Sequence, residues 1–478
     1  MPDAHDARDC PVSTASTAAL AHAEKALWRS VAFYGDAIVD FDAAIAADPG
    51  WGLAHVAKAN FLLSLTEPAL LPQARELLAV AAPLMARANP RERHHFDAAA
   101  CCAAGHWRAA GDQWEQILSR HPRDLLALNN AHLFDFYRGD AHNLRERIAR
   151  VLAQWPATDP LRPHVLGMYA FGLEECHQHA QAEAIGRAAL DRCAQMPWAI
   201  HAVAHVMEMQ GRHREGVAWL RTRQPDWAVD NGLAVHLWWH LALFQIETLD
   251  TTGALQLFDD HLSGAASVVN LQWLDGAALL WRLQLLGVPT GTRWQRLAAD
   301  WADPVGHAGY CAFNDCHALL ALLGSGETDR AQALLDAATA RAEGASASVD
   351  GCGRVRPPLN QRFQSHLEKS QADAPADNHA IAVQVGLPLM RGLMAFAAGD
   401  AARAVRTLDP LRRIANQFGG SHAQRDLIDQ TVLAAACACA ADSAEHAIGH
   451  ALLSARGRLK PSTPLTRHWA ARLGAAPA

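Results

Sequence analysis

Two histidine doublets are the residues of this sequence whose type and spacing best fit a chemical task. His201 and His205 are four residues apart, as are His236 and His240, and the second doublet follows the first by 35 residues. On an α-helix, residues i and i+4 lie on the same face, so each doublet presents two imidazoles to one side. Imidazole and carboxylate ligands favour a transition metal such as Zn or Fe over Ca or Mg. The spacing therefore predicts a metal site, which would weaken below about pH 6 because the imidazoles must be neutral to bind.

Other residues extend this candidate site. Asp275 follows His240 by 35 residues and so occupies the equivalent position of the next repeat, and the segment Phe313-Asn-Asp-Cys-His317 supplies a further imidazole. In a catalytic version of the site the metal would activate water or oxygen, as in a hydrolase or an oxidoreductase, and Glu208 and Asp315 would move protons. The predicted metal ligands are His201, His205, His236, His240, Asp275 and His317.

Four more residues are predicted to contact a ligand, and each has a structural alternative. Trp239 either stacks on a ligand or fills the core of a helical hairpin. His422, Arg425 and Asp426 either hold the polar end of a ligand or form local pairs at the start of a helix whose N-cap is Ser421. The chain has 26 histidines, and a single buried histidine is usually a hydrogen-bonded core group rather than a ligand.

A repeat of small and aromatic residues predicts the elements that position these side chains. The pattern is that of the second helix of a tetratricopeptide repeat, and it predicts an all-α solenoid of stacked helical hairpins over residues 18–342 and 381–478. Neighbouring helices in such a stack are about 8–10 Å apart, so their side chains can converge on one ion. The best copies are Tyr34, Ala37, Phe41, Ala44 and Pro49, and Trp107, Ala110, Trp114, Ile117 and Pro122.

Two segments interrupt the pattern. Residues 1–17 are small and polar, which predicts a disordered N-terminus. Residues 343–380 are rich in Gly, Ser, Pro and charge, which predicts a long loop. That loop would be either a lid over the concave face of the solenoid or a loose connection between two hairpins.

Composition excludes several classes of function. The net charge is −7 with four lysines and no basic run, which argues against a nucleic-acid partner. The N-terminus lacks the features of a signal peptide, and Arg282 interrupts the longest apolar stretch, so we expect no membrane span. The ten cysteines form no C-x-x-C pair, as expected of a reduced cytoplasmic protein. The fingerprints of zincin peptidases, P-loop enzymes, α/β-hydrolases and dinucleotide enzymes are absent.

Several segments, in order and spacing, resemble the tetratricopeptide-repeat protein 38 family. The resemblance runs from about residue 25 to about residue 470 and implies an intracellular α-helical repeat protein, with no reaction attached. The segments are Trp198-Ala-Ile-His-Ala-Val-Ala-His-Val-Met-Glu-Met-Gln-Gly211, His236-Leu-Trp-Trp-His-Leu-Ala-Leu-Phe-Gln-Ile-Glu247, Phe313-Asn-Asp-Cys-His317, Gly386-Leu-Pro-Leu389 and Gly419-Gly-Ser-His-Ala-Gln-Arg-Asp426.

Two functions of different classes follow from these observations. The first is a histidine-lined concave site that binds a transition metal and a small molecule, with or without catalysis. The alternative is an interaction scaffold that binds a peptide or a protein in the groove without metal. Metal analysis of the purified protein separates the two.

Overall fold

Almost all of the described chain is helical. The computed structural model describes residues 4–264, 269–301, 303–347 and 377–474. Within these ranges the named strands are β1 (Ala4–His5) and β2 (Pro11–Val12), which pair antiparallel. The predicted all-α class is confirmed.

The first half of the chain forms twelve α-helices joined by short connections. They are α1 (Thr17–Ala32), α2 (Ala37–Ala47), α3 (Gly52–Ser64), α4 (Leu71–Leu84), α5 (Pro90–Ala103), α6 (Trp107–Leu118), α7 (Leu125–Tyr137), α8 (Ala141–Val151), α9 (Arg162–Glu175), α10 (His179–Leu190), α11 (Pro197–Met209) and α12 (His213–Thr222).

The described part of the second half forms twelve more. They are α13 (Ala234–Glu247), α14 (Thr251–His261), α15 (Asn270–Leu285), α16 (Arg293–Asp300), α17 (Pro304–His307), α18 (Ala312–Ser325), α19 (Thr328–Ala347), α20 (Asp377–Ala397), α21 (Ala401–Leu411), α22 (His422–Cys437), α23 (Ala444–Leu459) and α24 (Pro464–Arg472). The middle of α20, Ala382–Gly386, is a π-helical turn.

Side-chain caps fix where many of these helices begin. Asp124 accepts a hydrogen bond from the backbone N–H of Ala127 at the start of α7, and Asp250 caps α14 in the same way. Ser421 is the N-cap of α22, as predicted, and it also forms a capping box with Gln424. Each cap satisfies a backbone donor that the first turn of the helix leaves free.

Helices adjacent in sequence pack together, and alternate helices also form a row. Pairs such as α1 with α2, α3 with α4, α5 with α6 and α9 with α10 are in contact. In addition α9 packs on α11, α11 on α13 and α13 on α15. The architecture is therefore repeat-like, and the row α9–α11–α13–α15 brings corresponding faces of four helices side by side.

The repeat pattern of the sequence marks the packed faces of the helices. Ala37, Phe41 and Ala44 of α2 are buried. Trp107 and Trp114 are buried on α6 together with the small Ala110 between them. Large and small residues therefore alternate at the contacts, and this alternation is how helices reach close packing.

Hydrogen bonds between remote parts of the chain draw the helices around a common interior. The Tyr137 hydroxyl donates to the carbonyl oxygen of Ser64 at 2.6 Å. The Asn314 amide donates to the carbonyl oxygen of Thr66 at 3.0 Å, although the two residues are 248 positions apart. The N-terminal helices therefore face helices from the second half of the chain.

The N-terminal segment differs from its prediction. Residues 4–16 form the β1–β2 hairpin and the cap of α1 instead of a disordered tail. Asp6 accepts hydrogen bonds from the backbone N–H groups of Arg8 and Cys10, and the Arg8 guanidinium binds Glu24 of α1. These buried polar contacts hold a segment that has few apolar residues.

The predicted long loop falls mostly outside the described residues. Residues 343–347 belong to the end of α19 and residues 377–380 to the start of α20, while 348–376 lie outside the described ranges. Helix α20 is the one helix of the described chain that is long and apolar enough to cross a membrane, and half of its most apolar window is buried inside the protein. One half-buried helix of this kind is weak evidence for a membrane span, because core helices of other proteins pass the same test.

Candidate metal centre

The four histidines of the two doublets meet at one point. The Nε2 atoms of His201 and His205 are 2.9 Å apart, those of His201 and His236 are 3.1 Å apart, and those of His236 and His240 are 3.2 Å apart. One ring nitrogen from each of the four lies within 4.8 Å of all the others. The predicted convergence of the doublets is confirmed, and the group could hold a metal ion.

The helix row explains how two distant segments meet. Helix α11 begins with a proline at its first turn and carries His201 and His205 on one face, and α13 carries His236 and His240. Because α11 packs beside α13, the histidines on the two helices reach one point. His205 and His240 are fully buried, and the His236 side chain is 17% exposed.

A carboxylate lies near Nδ1, the outer nitrogen that points away from the convergence point, in three of the four rings. The Nδ1 atom of His236 lies 2.8 Å from an Asp275 oxygen, and that of His240 lies 3.3 Å from a Glu208 oxygen. The Nδ1 atom of His205 is 3.6 Å from an oxygen of Glu174 on α9. Carboxylates on the outer nitrogen are the usual second layer of a histidine metal site, where they orient the rings and raise their basicity.

Ionised carboxylates at the outer nitrogens would select one tautomer of His236 and His240. An ionised carboxylate accepts a hydrogen bond, so ionised Asp275 and Glu208 would place the hydrogen on the Nδ1 atoms of these rings. In that tautomer the two Nε2 atoms, which are 3.2 Å apart, both present lone pairs. Two lone pairs at that distance repel unless a cation lies between them.

Burial favours uncharged imidazoles at this site. It lowers the pKa of His201, His205 and His240 well below the ordinary range, and the neighbouring rings add to the effect. Neutral imidazole is the form that binds metal. Burial also raises the pKa of Glu208 to about 7, and burial together with Glu175 and Glu208 raises the pKa of Glu174. A cation bound near the rings would lower the pKa of these carboxyl groups and favour their ionised form.

The spacing of the nitrogens suits a tetrahedral ion. With metal–nitrogen bonds of about 2.0–2.1 Å, the ligand atoms of a tetrahedral site are about 3.3 Å apart. Three of the Nε2 separations, 2.9–3.2 Å, are within a few tenths of an ångström of that value. Small ring rotations would bring them to it.

Two predicted ligands do not belong to the inner group. Asp275 binds the outer nitrogen of His236 rather than facing the point where the Nε2 atoms converge. The Nδ1 atom of His317 lies 2.8 Å from the carbonyl oxygen of Phe313, one helical turn before it, and the ring is not part of the four-histidine group. Asp275 is thus a supporting residue, and His317 is a buried histidine bonded to its own helix.

The two predicted proton carriers lie apart from each other. Glu208 is behind His240, next to a small polar pocket of about 20 Å³ that it shares with Asp426 and Arg282. Asp315 accepts a hydrogen bond from the backbone N–H of Gly309 at 2.8 Å, and burial raises its pKa to about 7. Asp315 is not part of the ligand group.

Trp239 supports the site from the core. Its ring is fully buried and stacks on His236 with centroids 5.1 Å apart. The guanidinium carbon of Arg282 lies over the Trp239 ring, 5.6 Å from its centroid. Trp239 does not line the large cavity described below, so the core alternative fits its placement better than the ligand-stacking one.

The three residues at the start of α22 make internal pairs. The backbone N–H of His422 and the side chain of Arg425 both donate to the Glu175 carboxylate, at 3.1 and 3.2 Å. Asp426 pairs with Arg456; burial by itself would raise its pKa, but Arg456 and Lys460 lower it. These contacts follow the local-pairing alternative, although His422 and Arg425 also line a separate pocket of about 190 Å³.

A cavity of about 620 Å³ adjoins the centre on the side of His201 and His236. His205 and His240 do not line the cavity. The convergence point of the four histidines therefore lies at the edge of the cavity, behind His201 and His236. Asp275 lines the cavity as well, next to His236. A bound ion would therefore be approached from the cavity between His201 and His236.

Sequence reasoning missed Glu174 and the contribution of the N-terminal helices. The 35-residue register relates His205 to position 170 of α9. Glu174 follows that position by four residues, so it lies on the same face of α9 and could have been found from the register. Neither of its carboxylate oxygens has a hydrogen-bond partner within the described residues. Cavity-lining residues such as Asn129 and Phe61 gave no sequence signal, because long-range packing brings them there.

No protein-family model matches this chain.

Proposed function

We propose that this protein binds one transition-metal ion through the Nε2 atoms of His201, His205, His236 and His240 and presents it to a small molecule in the adjoining cavity. The observation that carries the proposal is the convergence of one ring nitrogen from each of the four histidines within 4.8 Å, with the outer nitrogens of His236 and His240 turned to Asp275 and Glu208. Zn and Fe suit an imidazole site.

Different residues would bind the ion, orient its ligands and leave it accessible in such a site. The four imidazoles would hold the ion, and Asp275 and Glu208 would fix the orientation of two of the rings. When bound, the metal would supply a Lewis acid that polarises an oxygen of the bound molecule, provided that the coordination expands from four ligands to five. His201 and His236 leave its cavity side accessible, while the buried His205 and His240 close the opposite side.

We also infer that the repeat-like helices form a tetratricopeptide-like solenoid of hairpins, related to the tetratricopeptide-repeat protein 38 family. Support comes from the buried small and aromatic residues of α2 and α6 and from the row of alternate helices that carries the site. The nine described cysteines are unpaired, which supports a reducing compartment such as the cytoplasm.

Metal analysis of tag-free protein purified without chelator tests the proposal. We expect about one equivalent of a transition metal, and X-ray absorption should show four nitrogen ligands at about 2.0–2.1 Å for zinc. The double variant His205→Ala/His240→Ala should lose the metal and keep its helical circular dichroism. The control His142→Ala/His450→Ala removes two histidines elsewhere and should keep the metal.

The proposal fails if wild-type protein carries negligible metal and added Zn or Fe does not raise its melting temperature. An ion at about 100 times its Kd would stabilise the fold by about 2.7 kcal/mol, which a thermal scan detects. In that case the scaffold alternative, with the histidines as polar contacts to a peptide or protein, replaces it.

A further inference from the structure

We propose that the cavity beside the four-histidine centre takes a neutral, largely apolar molecule with an aromatic ring, held with a single oxygen or nitrogen donor toward the gap between His201 and His236. The apolar part of this inference depends on the cavity alone. The orientation of the donor rests on the proposed metal function.

Size and lining set the class of molecule. A volume of about 620 Å³ is in the range of cavities that enclose a drug-sized ligand. Rings and aliphatic side chains dominate the wall. The aromatic residues that line it are Phe33, Phe41, Phe61, Phe136, Tyr137, Phe171, Trp198, Phe313 and Phe418.

The charges at the cavity already have partners. Among the described residues that line it, the charged side chains are Arg29, Asp36 and Asp275, apart from the histidines. Arg29 donates to Asp40 at 2.6 Å, Asp36 caps the backbone N–H of Ile38, and Asp275 binds His236. In the metal-free protein, an anionic molecule such as a phosphorylated metabolite would find no free cation among the described lining residues to offset its loss of hydration.

Several polar groups of the wall are already hydrogen-bonded, which disfavours a peptide, although the Nδ2 atom of Asn130 has no partner within the described residues. The Asn314 amide is bonded to Thr66, and Gln424 is committed to the capping box of α22. An extended peptide would bury an amide and a carbonyl at each residue, and each unpaired group costs about 1–3 kcal/mol. A molecule with one or two polar atoms avoids that cost.

The metal-side end of the cavity favours an aromatic ring with a donor next to it. The Phe171 ring is 5.2 Å from the His201 ring and 5.5 Å from that of Trp198, so two large rings flank the imidazole that faces the cavity. Aromatic groups pack well against such surfaces. The polar atom of the ligand would then lie beside His201 and His236, the two histidines exposed to the cavity.

Three probes that share a naphthylmethyl group test the proposal, with binding followed by tryptophan fluorescence at pH 8. N-(naphthylmethyl)pyrrole is neutral and has no donor, N-(naphthylmethyl)imidazole adds a donor nitrogen, and naphthylmethylphosphonate is anionic. On metal-free protein the pyrrole should bind with 1:1 stoichiometry and at least about tenfold more tightly than the phosphonate, a difference of about 1.4 kcal/mol. On zinc-loaded protein the imidazole probe should bind at least about tenfold more tightly than the pyrrole, a preference lost when zinc is removed.

Matched variants locate the binding. Leu133 lines the cavity and is half-buried, so Leu133→Trp should fill the space and weaken the pyrrole probe at least about tenfold. Leu459→Trp makes the same exchange at a site that is 79% exposed on α23 and should leave binding unchanged. A melting temperature close to that of wild type shows that Leu133→Trp is folded, and Ala57→Phe, at another lining position, provides a second filled cavity.

The outcomes separate the two proposals. Pyrrole binding that Leu133→Trp or Ala57→Phe abolishes supports the apolar cavity even if the protein takes up no metal. No pyrrole binding, binding unaffected by both filled variants, or tighter binding of the phosphonate to metal-free protein overturns it. A zinc-loaded protein that binds pyrrole and imidazole probes equally overturns the donor orientation while leaving the metal centre in place.

Discussion

At the scale of single residues, the four histidines could be predicted because two periodicities agree on them. The i, i+4 spacing sets the face within each helix, and the 35-residue offset sets the register between α11 and α13. Asp275 shares the 35-residue register, but repeat equivalence gives no information on which nitrogen of a neighbouring ring a carboxylate reaches. The Asp275 carboxylate lies 2.8 Å from Nδ1 of His236, on the side of the ring away from the converging Nε2 atoms.

Replacing Asp275 with Asn should weaken metal binding without abolishing it. The amide keeps the shape of the side chain, but its oxygen is a weaker acceptor for the His236 Nδ1–H, and loss of such an outer partner typically costs about 10–100-fold in metal affinity. Competition with a chromogenic chelator measures the change. Asp315→Asn alters a buried carboxyl outside the histidine group and should leave the affinity unchanged. Unaltered affinity in Asp275→Asn would remove its supporting role, and complete loss of metal would make it a ligand.

At the scale of helices, the site results from repetition. Helices α9, α11, α13 and α15 supply Glu174, the two doublets and Asp275 from corresponding faces. The sequence predicted these helices because apolar and small residues recur on their packed sides. The β1–β2 hairpin could not be predicted in this way, since polar contacts of Asp6 and Arg8 hold it and no periodic pattern marks them.

Two glycines on helices should respond in opposite ways to the same substitution. A methyl group at Gly216 of α12 would overlap the Phe244 ring of α13, the helix that carries His236 and His240. Gly216→Ala should therefore destabilise the protein by about 1–3 kcal/mol through overpacking. A methyl group at Gly457 of α23 meets no atom within 4 Å, so Gly457→Ala should stabilise the protein by up to about 1 kcal/mol through helix propensity.

Chemical denaturation of both variants beside wild type measures these effects. If both substitutions stabilise the protein, the close approach of α12 and α13 is wrong. If Gly216→Ala also lowers metal affinity while Gly457→Ala does not, the α12–α13 contact contributes to the register of the site.

At the scale of the whole molecule, the cavity depends on contacts that no local pattern shows. Its wall combines Phe33 and Phe61 from the N-terminal helices with Leu274 and Phe418 from the second half of the chain. Links such as Asn314 to Thr66 and the backbone N–H of Gly232 to the Phe33 carbonyl oxygen, at 2.7 Å, close the structure around it. Sequence periodicity predicts that helices stack, but it does not predict where the ends of a long stack meet.

Buried histidines distributed over the molecule should make it sensitive to acid. Burial lowers the pKa of His132 to about 3 and that of His164 and His317 to about 4. Between the unfolded value of about 6.5 and these folded values, the unfolded chain binds protons that the folded protein excludes. The stability that these groups contribute is fully present above about pH 6.5 and is lost as the pH falls through this window, by about 1.4 kcal/mol per pH unit for each group.

The variant His132→Phe tests this at one site. His132 is buried edge-on against Trp198, with ring centroids 5.4 Å apart, and neither of its nitrogens has a partner within the described residues. A phenyl ring keeps these contacts and cannot bind a proton. With chelator present, so that metal release does not contribute, the stability of the variant should fall less steeply than that of wild type between pH 6 and pH 4, by about 1.4 kcal/mol per pH unit.

His142→Phe changes a histidine that is exposed in the folded protein and should follow the wild-type slope. Parallel slopes for His132→Phe and wild type would mean that His132 takes up a proton in the folded protein, which its apolar surroundings argue against.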